Sequence, residues 1–265
     1  MEEMEEAQKV ILPIKDREIG DIPRLTPEGE DWFGPSGAAF HIAAAFGAIS
    51  HEANNPLASI DGRFQLAKPE LIESEEESIK DLVGVMERNI PRLEELFKKL
   101  SKVSLACNRE GYQFAQKNIF KLVENIGLDF SEVVPRLEID IQGEEGREAM
   151  VDRARFETAL SRLFQNSLEA GSDEITVNIE EKSGEKKTVI EVVDNGAGFE
   201  KGVDESVFSL GASTKKTSRG TIRELSTGLF IAKTVVLACG GSISAANRSE
   251  ASQKGAVIRI ELPGV

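Results

Sequence analysis

The twelve residues Ile49–Ile60, ISHEANNPLASI, set His51 directly before Glu52, with Asn54, Asn55 and Pro56 close behind. His51 is one of two histidines in a chain of 265 residues; the other is His41. An imidazole beside a carboxylate is a pairing that nucleophilic and acid–base chemistry uses near neutral pH. The surrounding Ala, Ile and Leu read as a helix. On a helix advancing about 100° per residue, Ile49, Ala53, Pro56, Ile60, Phe64 and Ala67 form one stripe, expected to face a bundle. His51 lies about 200° from Ile49 and shares its face with Asn54, Asn55, Ala58 and Gly62, so it points outward among small or polar neighbours. A solvent-facing histidine with no task is the plainer alternative. Pro56 tells against it, because a proline inside a helix leaves the carbonyl of Glu52 without its N–H partner and bends the helix beside the histidine.

Several elements must position this segment. Residues 1–35 begin with acidic MEEMEE, pass through VILPI and end in PEGEDWFGPSG, which reads as a tail or linker. Residues 37–68 predict one long helix, KPELIES a turn, and Glu73–Ala106 a second helix. In the second, Ile79, Leu82, Met86, Ile90, Leu93, Phe97, Leu100 and Val103 recur at helical spacing, and Pro91 is expected to kink it. That stripe is too long for one hairpin to bury, so a four-helix bundle made by two copies is expected. After residue 108 the texture changes. KNIFKLVENIGLDF predicts a helix capped by Asn118, and VDRARFETALSRLFQNSLEAG one capped by Asp152. RLEIDIQ reads as a strand, EITVNIEE and KTVIEVVD as a hairpin around KSGEK, and SISAAN and AVIRIEL as closing strands. With a further helix over STGLFIAKTVVLACGG, this order implies one mixed sheet covered on one face by helices.

Composition narrows the chemistry. A formal charge of −14 argues against nucleic acid, because phosphates must be neutralised by Lys and Arg, yet a few local cations suffice for a nucleotide. Cys107 and Cys239 are far apart and fit neither a metal pattern nor a disulfide framework, which points to a reducing cytoplasm. The longest apolar stretch, from Ile42 to Ser50, is too short to span a bilayer, and no signal peptide precedes it.

HEANNPL resembles the H-box of sensor histidine kinases, and the likeness extends along IAAAFGAISHEANNPLASIDG and on through residues 37–263. The fold it implies is α+β. A helical hairpin over 36–108, the dimerisation and histidine phosphotransfer domain, would form a dimeric four-helix bundle. An α/β sandwich of the histidine kinase ATP-binding (Bergerat) type would follow over 109–265. By this resemblance His51 is the phosphoacceptor and Glu52 the acid/base beside it. Asn55 would position a water for dephosphorylating a response regulator receiver domain, the expected partner of the homodimer. FQNSLEAG resembles the N-box, with Asn166 in the place of the Mg²⁺-binding asparagine, and an amide oxygen suits that hard ion. DNGAGF resembles the next motif: Asp194 would accept from the adenine amino group of ATP, while Gly196 and Gly198 let backbone approach the base. Phe208 resembles the F-box phenylalanine beneath the ATP lid, although an ordinary core phenylalanine reads the same way. Thr214 and Lys215 resemble the lid's TTK, with Lys215 contacting phosphate. Gly228 opens a helix whose free N–H groups favour phosphate.

Three departures from the family pattern stand out. Ser226 and Phe230 replace the outer glycines of the lid motif, which puts lid geometry in question. Eight extra residues, TSRGTIRE, lengthen the lid and bring Arg219 and Arg223. Arg162 replaces the first asparagine of the N-box. Gyrases, heat-shock chaperones and mismatch-repair ATPases of related fold place a glutamate there to activate water, and an arginine cannot serve as that base. Transfer of phosphoryl to protein is therefore favoured over ATP hydrolysis. The rival readings are a phosphotransfer adaptor with a decayed nucleotide site and a clamp-type ATPase.

Overall fold

The computed structural model describes residues 27, 30–33, 38–73, 76–182, 184–199, 205–212, 226–248 and 254–265. Two long helices come first, α1 (Ala38–Ile72) and α2 (Glu77–Cys107). Helix α1 runs unbroken through Pro56 and Pro69, so the turn expected over KPELIES begins only at Glu73. The added turn brings Leu71 against a cluster of Leu57, Phe64, Val83 and Ile90, and this packing offsets the bond that Pro69 cannot donate. Helix α2 likewise continues through Pro91.

Of the stripe expected to face a bundle, Phe64 is buried within the hairpin. Ser50, Leu57 and Phe64, spaced by seven, turn toward α2, whereas Ile49 and Ile60 remain 48% and 51% exposed. Ser50 is drawn inward because its Oγ donates to the Phe97 carbonyl oxygen (3.4 Å). One level down, Ser104 Oγ donates to the Ala43 carbonyl oxygen (2.8 Å). His51 consequently stays on the exposed side, as expected.

The second region is built on a five-stranded sheet. Its strands are β2 (Glu138–Gly143), β4 (Glu174–Lys182), β5 (Lys187–Asp194), β6 (Ser242–Asn247) and β7 (Ala256–Pro263), in the order β2-β4-β5-β7-β6. Only β2 and β4 pair in parallel. Helices α3 (Ile119–Val133), α4 (Arg153–Glu169) and α5 (Gly228–Ala238) supply the core that the strands' inner residues Ile175, Val177, Ile190 and Ile260 meet. Asn118 caps α3 through the Lys121 N–H, and Asp152 caps α4 through the Arg155 N–H, both as expected. Two short strands were not foreseen: β1 (Phe114–Asn118) and β3 (Glu148–Asp152) pair antiparallel, with Phe114 opposite Asp152.

A clamp joins the two regions. The Arg155 guanidinium bonds the carbonyl oxygens of Leu105 and Gly111 and the Asp152 carboxylate, and lies 4.2 Å over the Tyr112 ring. Tyr112 Oη donates to the Ala106 carbonyl oxygen (2.8 Å). The last turn of α2 is thus satisfied by the sheet domain. Burial pushes the thiols of Cys107 and Cys239 up to about 12, so both sit there as inert apolar groups. Within the expected tail, Glu30–Phe33 forms a single 3-10 turn. It buries Trp32 edge-on to Phe230, with ring centroids 6.0 Å apart, and Arg109 covers Phe33. No helix among the described residues is long and apolar enough to cross a membrane.

Candidate functional site

Asp194 ends β5 and is 6% exposed. A carboxylate so buried needs donors. Its Oδ1 accepts from the backbone N–H of Gly196 (2.9 Å) and of Ala256 (3.0 Å), and its Oδ2 accepts from Ser167 Oγ (2.9 Å). Acceptor capacity remains on Oδ2, because an ionised carboxylate offers about four lone-pair sites. The loop after Asp194 is held from both sides. Asn195 Oδ1 accepts from Ser172 Oγ and from the N–H groups of Asp173 and Glu174, while Asn247 takes the Phe199 N–H (2.6 Å) and returns a bond to its carbonyl oxygen. Gly198 has φ +74°, and a Cβ there would lie 2.8 Å from Asn247 Oδ1 and 2.9 Å from the Gly255 carbonyl oxygen. Only glycine fits.

Asn166 and Gly228 come together. A Cβ on Gly228 would meet Asn166 Oδ1 at 3.2 Å, so the amide lies against the first residue of α5. Phe208 is buried at the end of a 3-10 turn, Glu205–Phe208. Beneath it lies a residue the sequence reading passed over. Lys233, on α5, is 6% exposed, pairs with Glu205 and places its Nζ 5.2 Å from the Phe208 ring centre. Thr214 and Lys215, with Arg219, Arg223 and the eight-residue lid insertion, lie outside the described residues.

Phe230 is 1% exposed and packs on Trp32, within the core. Gly228, two residues earlier, is the one beside Asn166. Ser167 was also missed, although a signal existed. It continues the buried face of α4 formed by Phe156, Ala159, Leu160, Leu163 and Phe164, and a polar residue on an apolar face marks a specific hydrogen bond. Lys233 stands out in the same way among the apolar residues of α5.

On the hairpin, His51, Glu52, Asn54, Asn55, Ala58 and Gly62 are all exposed on α1. The phosphoacceptor candidate is therefore accessible from solvent.

Residues 151–265 match the family of histidine kinase-, DNA gyrase B- and HSP90-like ATPases. Beyond that segment, the chain is 24% identical over 237 residues to the sensor protein FixL of Bradyrhizobium diazoefficiens, covering 82% of this chain and 42% of FixL. It is 23% identical over 220 residues to the sensor histidine kinase RegB of Cereibacter sphaeroides, covering 79% of this chain and 46% of RegB. Over most of its length the chain is similar to sensor histidine kinases. It spans less than half the length of these curated relatives. Its fold is shared by full-length ShkA crystallised with AMPPNP, at a TM-score of 0.61 and 17% identity over 84% of this chain and 46% of ShkA. It is also shared by the histidine kinase ThkA in complex with the response regulator protein TrrA, at a TM-score of 0.54 and 23% identity over 83% of this chain and 60% of that one. The matched segment, residues 151–265, follows the helical hairpin in the chain.

Proposed function

We propose that this chain is a histidine kinase that phosphorylates His51 from ATP and passes the phosphoryl group to an aspartate of a response regulator. The observation that carries the proposal is the buried Asp194 carboxylate, which spends three acceptor positions on the fold and keeps acceptor capacity on Oδ2. A buried charge held in this way, beside backbone that only glycine permits, suits the exocyclic amine of adenine. Asn166 would hold Mg²⁺ with the remaining ligands drawn from phosphate and water, and the ion would neutralise charge on the polyphosphate. Among the described residues no group of three or more His, Cys, Asp or Glu forms a separate metal cage.

In the transfer, one ring nitrogen of His51 bonds the γ-phosphorus as the bond from phosphorus to the β–γ bridging oxygen breaks. ADP leaves with that electron pair, and Glu52 takes the proton from the ring. Asn55, one turn on, holds a water for the reverse loss of phosphate from the regulator. The exposed Ile49, Ile60, Leu82 and Leu93 of the hairpin support a second copy of the chain completing a four-helix bundle. ThkA, of the same fold, has been crystallised with a response regulator, which supports a partner of that class here.

Incubation with γ-labelled ATP and Mg²⁺ tests the proposal. Wild type is expected to retain acid-labile, alkali-stable label and His51→Gln none, with ATP binding preserved. Label persisting on His51→Gln would overturn the assignment. The adaptor reading loses support from the complete Asp194 network, which a decayed nucleotide site has no reason to keep.

A further inference from the structure

Arg162 stands one turn before Asn166 on α4, so both side chains leave the same face of that helix. It is half-buried, yet its guanidinium makes no ion pair or hydrogen bond among the described residues. A partly desolvated cation without an acceptor is unfavourable unless an anion arrives. Its neighbours are also cations. Burial holds the Lys102 ammonium of α2 below the ordinary lysine range, and the charges of Arg162 and Lys98 lower it further. Lys98 and Lys102 are one turn apart on α2, and neither makes an ion pair among the described residues. The chain has 46 acidic residues and a net charge of −14, yet none of these three cations has a carboxylate partner among the described residues.

The hairpin gives this cluster a direction. Ser50, the residue before His51, bonds the carbonyl of Phe97, the residue before Lys98. Ser104, beyond Lys102, bonds Ala43, nearer the sheet domain. Lys98 is therefore level with the turn that carries His51, and Lys102 lies one turn closer to the nucleotide domain.

We propose that Arg162, Lys102 and Lys98 form a binding site for the terminal phosphate of the nucleotide, leading from Asn166 toward the level of His51. The inference rests on the nucleotide-binding reading above. Arg162 takes two phosphate oxygens with its planar fork, and the lysines add mobile point charges along the path of transfer. The bound group is the one that ATP carries and ADP lacks. The cluster therefore favours ATP over ADP and releases its hold once the phosphoryl has moved to His51. Withdrawing charge from the γ-phosphate oxygens also stabilises the phosphoryl group in flight.

Calorimetric titration of ATP, ADP and adenosine into wild type, Arg162→Gln, Arg162→Lys and Lys102→Gln tests this without relying on activity. Arg162→Gln is expected to weaken ATP about tenfold or more while ADP and adenosine change by less than about twofold. Arg162→Lys should recover part of the loss, and Lys102→Gln should show a smaller loss confined to ATP. Equal weakening of all three ligands by Arg162→Gln would make the arginine a fold support and overturn the inference. So would an unchanged ATP affinity. If wild type binds adenosine normally and the arginine variants match it for every ligand, the cluster alone fails. If wild type binds no adenosine, the nucleotide reading fails and takes this inference with it.

Discussion

Asp194→Asn removes one charge and keeps the shape, and the contacts of Asp194 allow the outcome to be worked through. The asparagine carbonyl oxygen can still accept from the N–H groups of Gly196 and Ala256. The amide nitrogen then faces Ser167 Oγ, and the hydroxyl can turn to accept. Every buried group keeps a partner, but the bonds lose their ionic character, which roughly halves each of them. The fold should therefore lose only about 1–3 kcal/mol. Binding suffers more directly. The adenine amine would meet an N–H donor where it needs an acceptor, and losing that charge-assisted bond costs about 1.5–3 kcal/mol, roughly 10- to 150-fold in affinity. Asp194→Ala is the worse experiment. It strands two buried N–H groups and one hydroxyl, each worth about 1–3 kcal/mol, against a total stability of about 5–15 kcal/mol. The assay is equilibrium binding of adenosine, which carries no phosphate, with thermal unfolding of the same samples. A folded Asp194→Asn protein that binds adenosine within about twofold of wild type would refute the reading of Asp194.

Two further outcomes follow from the junction between the regions. Burial acts to raise the pKa of Asp152, but the N–H groups of Gln113 and Arg155 and the Arg155 guanidinium outweigh it and hold the carboxyl below its usual range. Its contribution is complete above the unfolded value near 4 and is lost as pH falls through the lower folded value, so Asp152→Asn should cost about 1–3 kcal/mol at neutral pH, with the gap closing in acid; a gap in denaturation free energy that stays constant from about pH 7 to about pH 2 would refute this. Trp32 is the only tryptophan in the chain and is 5% exposed, so native emission should be blue-shifted and should move red on unfolding. Trp32→Ala should lower stability by about 3 kcal/mol through the cavity left against Phe230, and water-like native emission from wild type would contradict that burial.

Much of the fold was legible because its signals are local. Helix caps at Asn118 and Asp152, the hairpin turn over KSGEK and the alternation in AVIRIEL each need only a few neighbouring residues. The errors lie where distant partners decide. Strands β1 and β3 are five residues each and pair with one another across α3 and β2, so neither carries enough pattern alone. Pro69 looked like a helix end, yet the contact of Leu71 with the hairpin cluster carries α1 onward. The pairing within the hairpin depends on a distant partner too: Ser50 finds the Phe97 carbonyl across the hairpin and turns inward beside Leu57 and Phe64.

The site shows the same division more sharply. His51, Asn166, Asp194 and Gly228 were readable as residue types in motifs, but what makes Asp194 a usable acceptor comes from elsewhere in the chain. One of its donors is the next residue along α4 from Asn166, and another is the backbone of Ala256, 62 positions away. The Asn247 bracket on Phe199 crosses 48 positions. None of these contacts leaves a spacing that a single sequence displays. Each does leave a weaker trace: a polar side chain where the face should be apolar, as with Ser167 and Lys233, or a glycine where a strand is about to begin, as with Gly255 before β7. Such residues oppose the burial pattern and persist only where a specific partner compensates them. Arg162 belongs in this class by its half-burial on α4, and it differs from Ser167 and Lys233 in one respect. Their partners are already in the fold, whereas the charge of Arg162 is unmatched among the described residues, and the nucleotide proposed to bind beside it carries the opposite one.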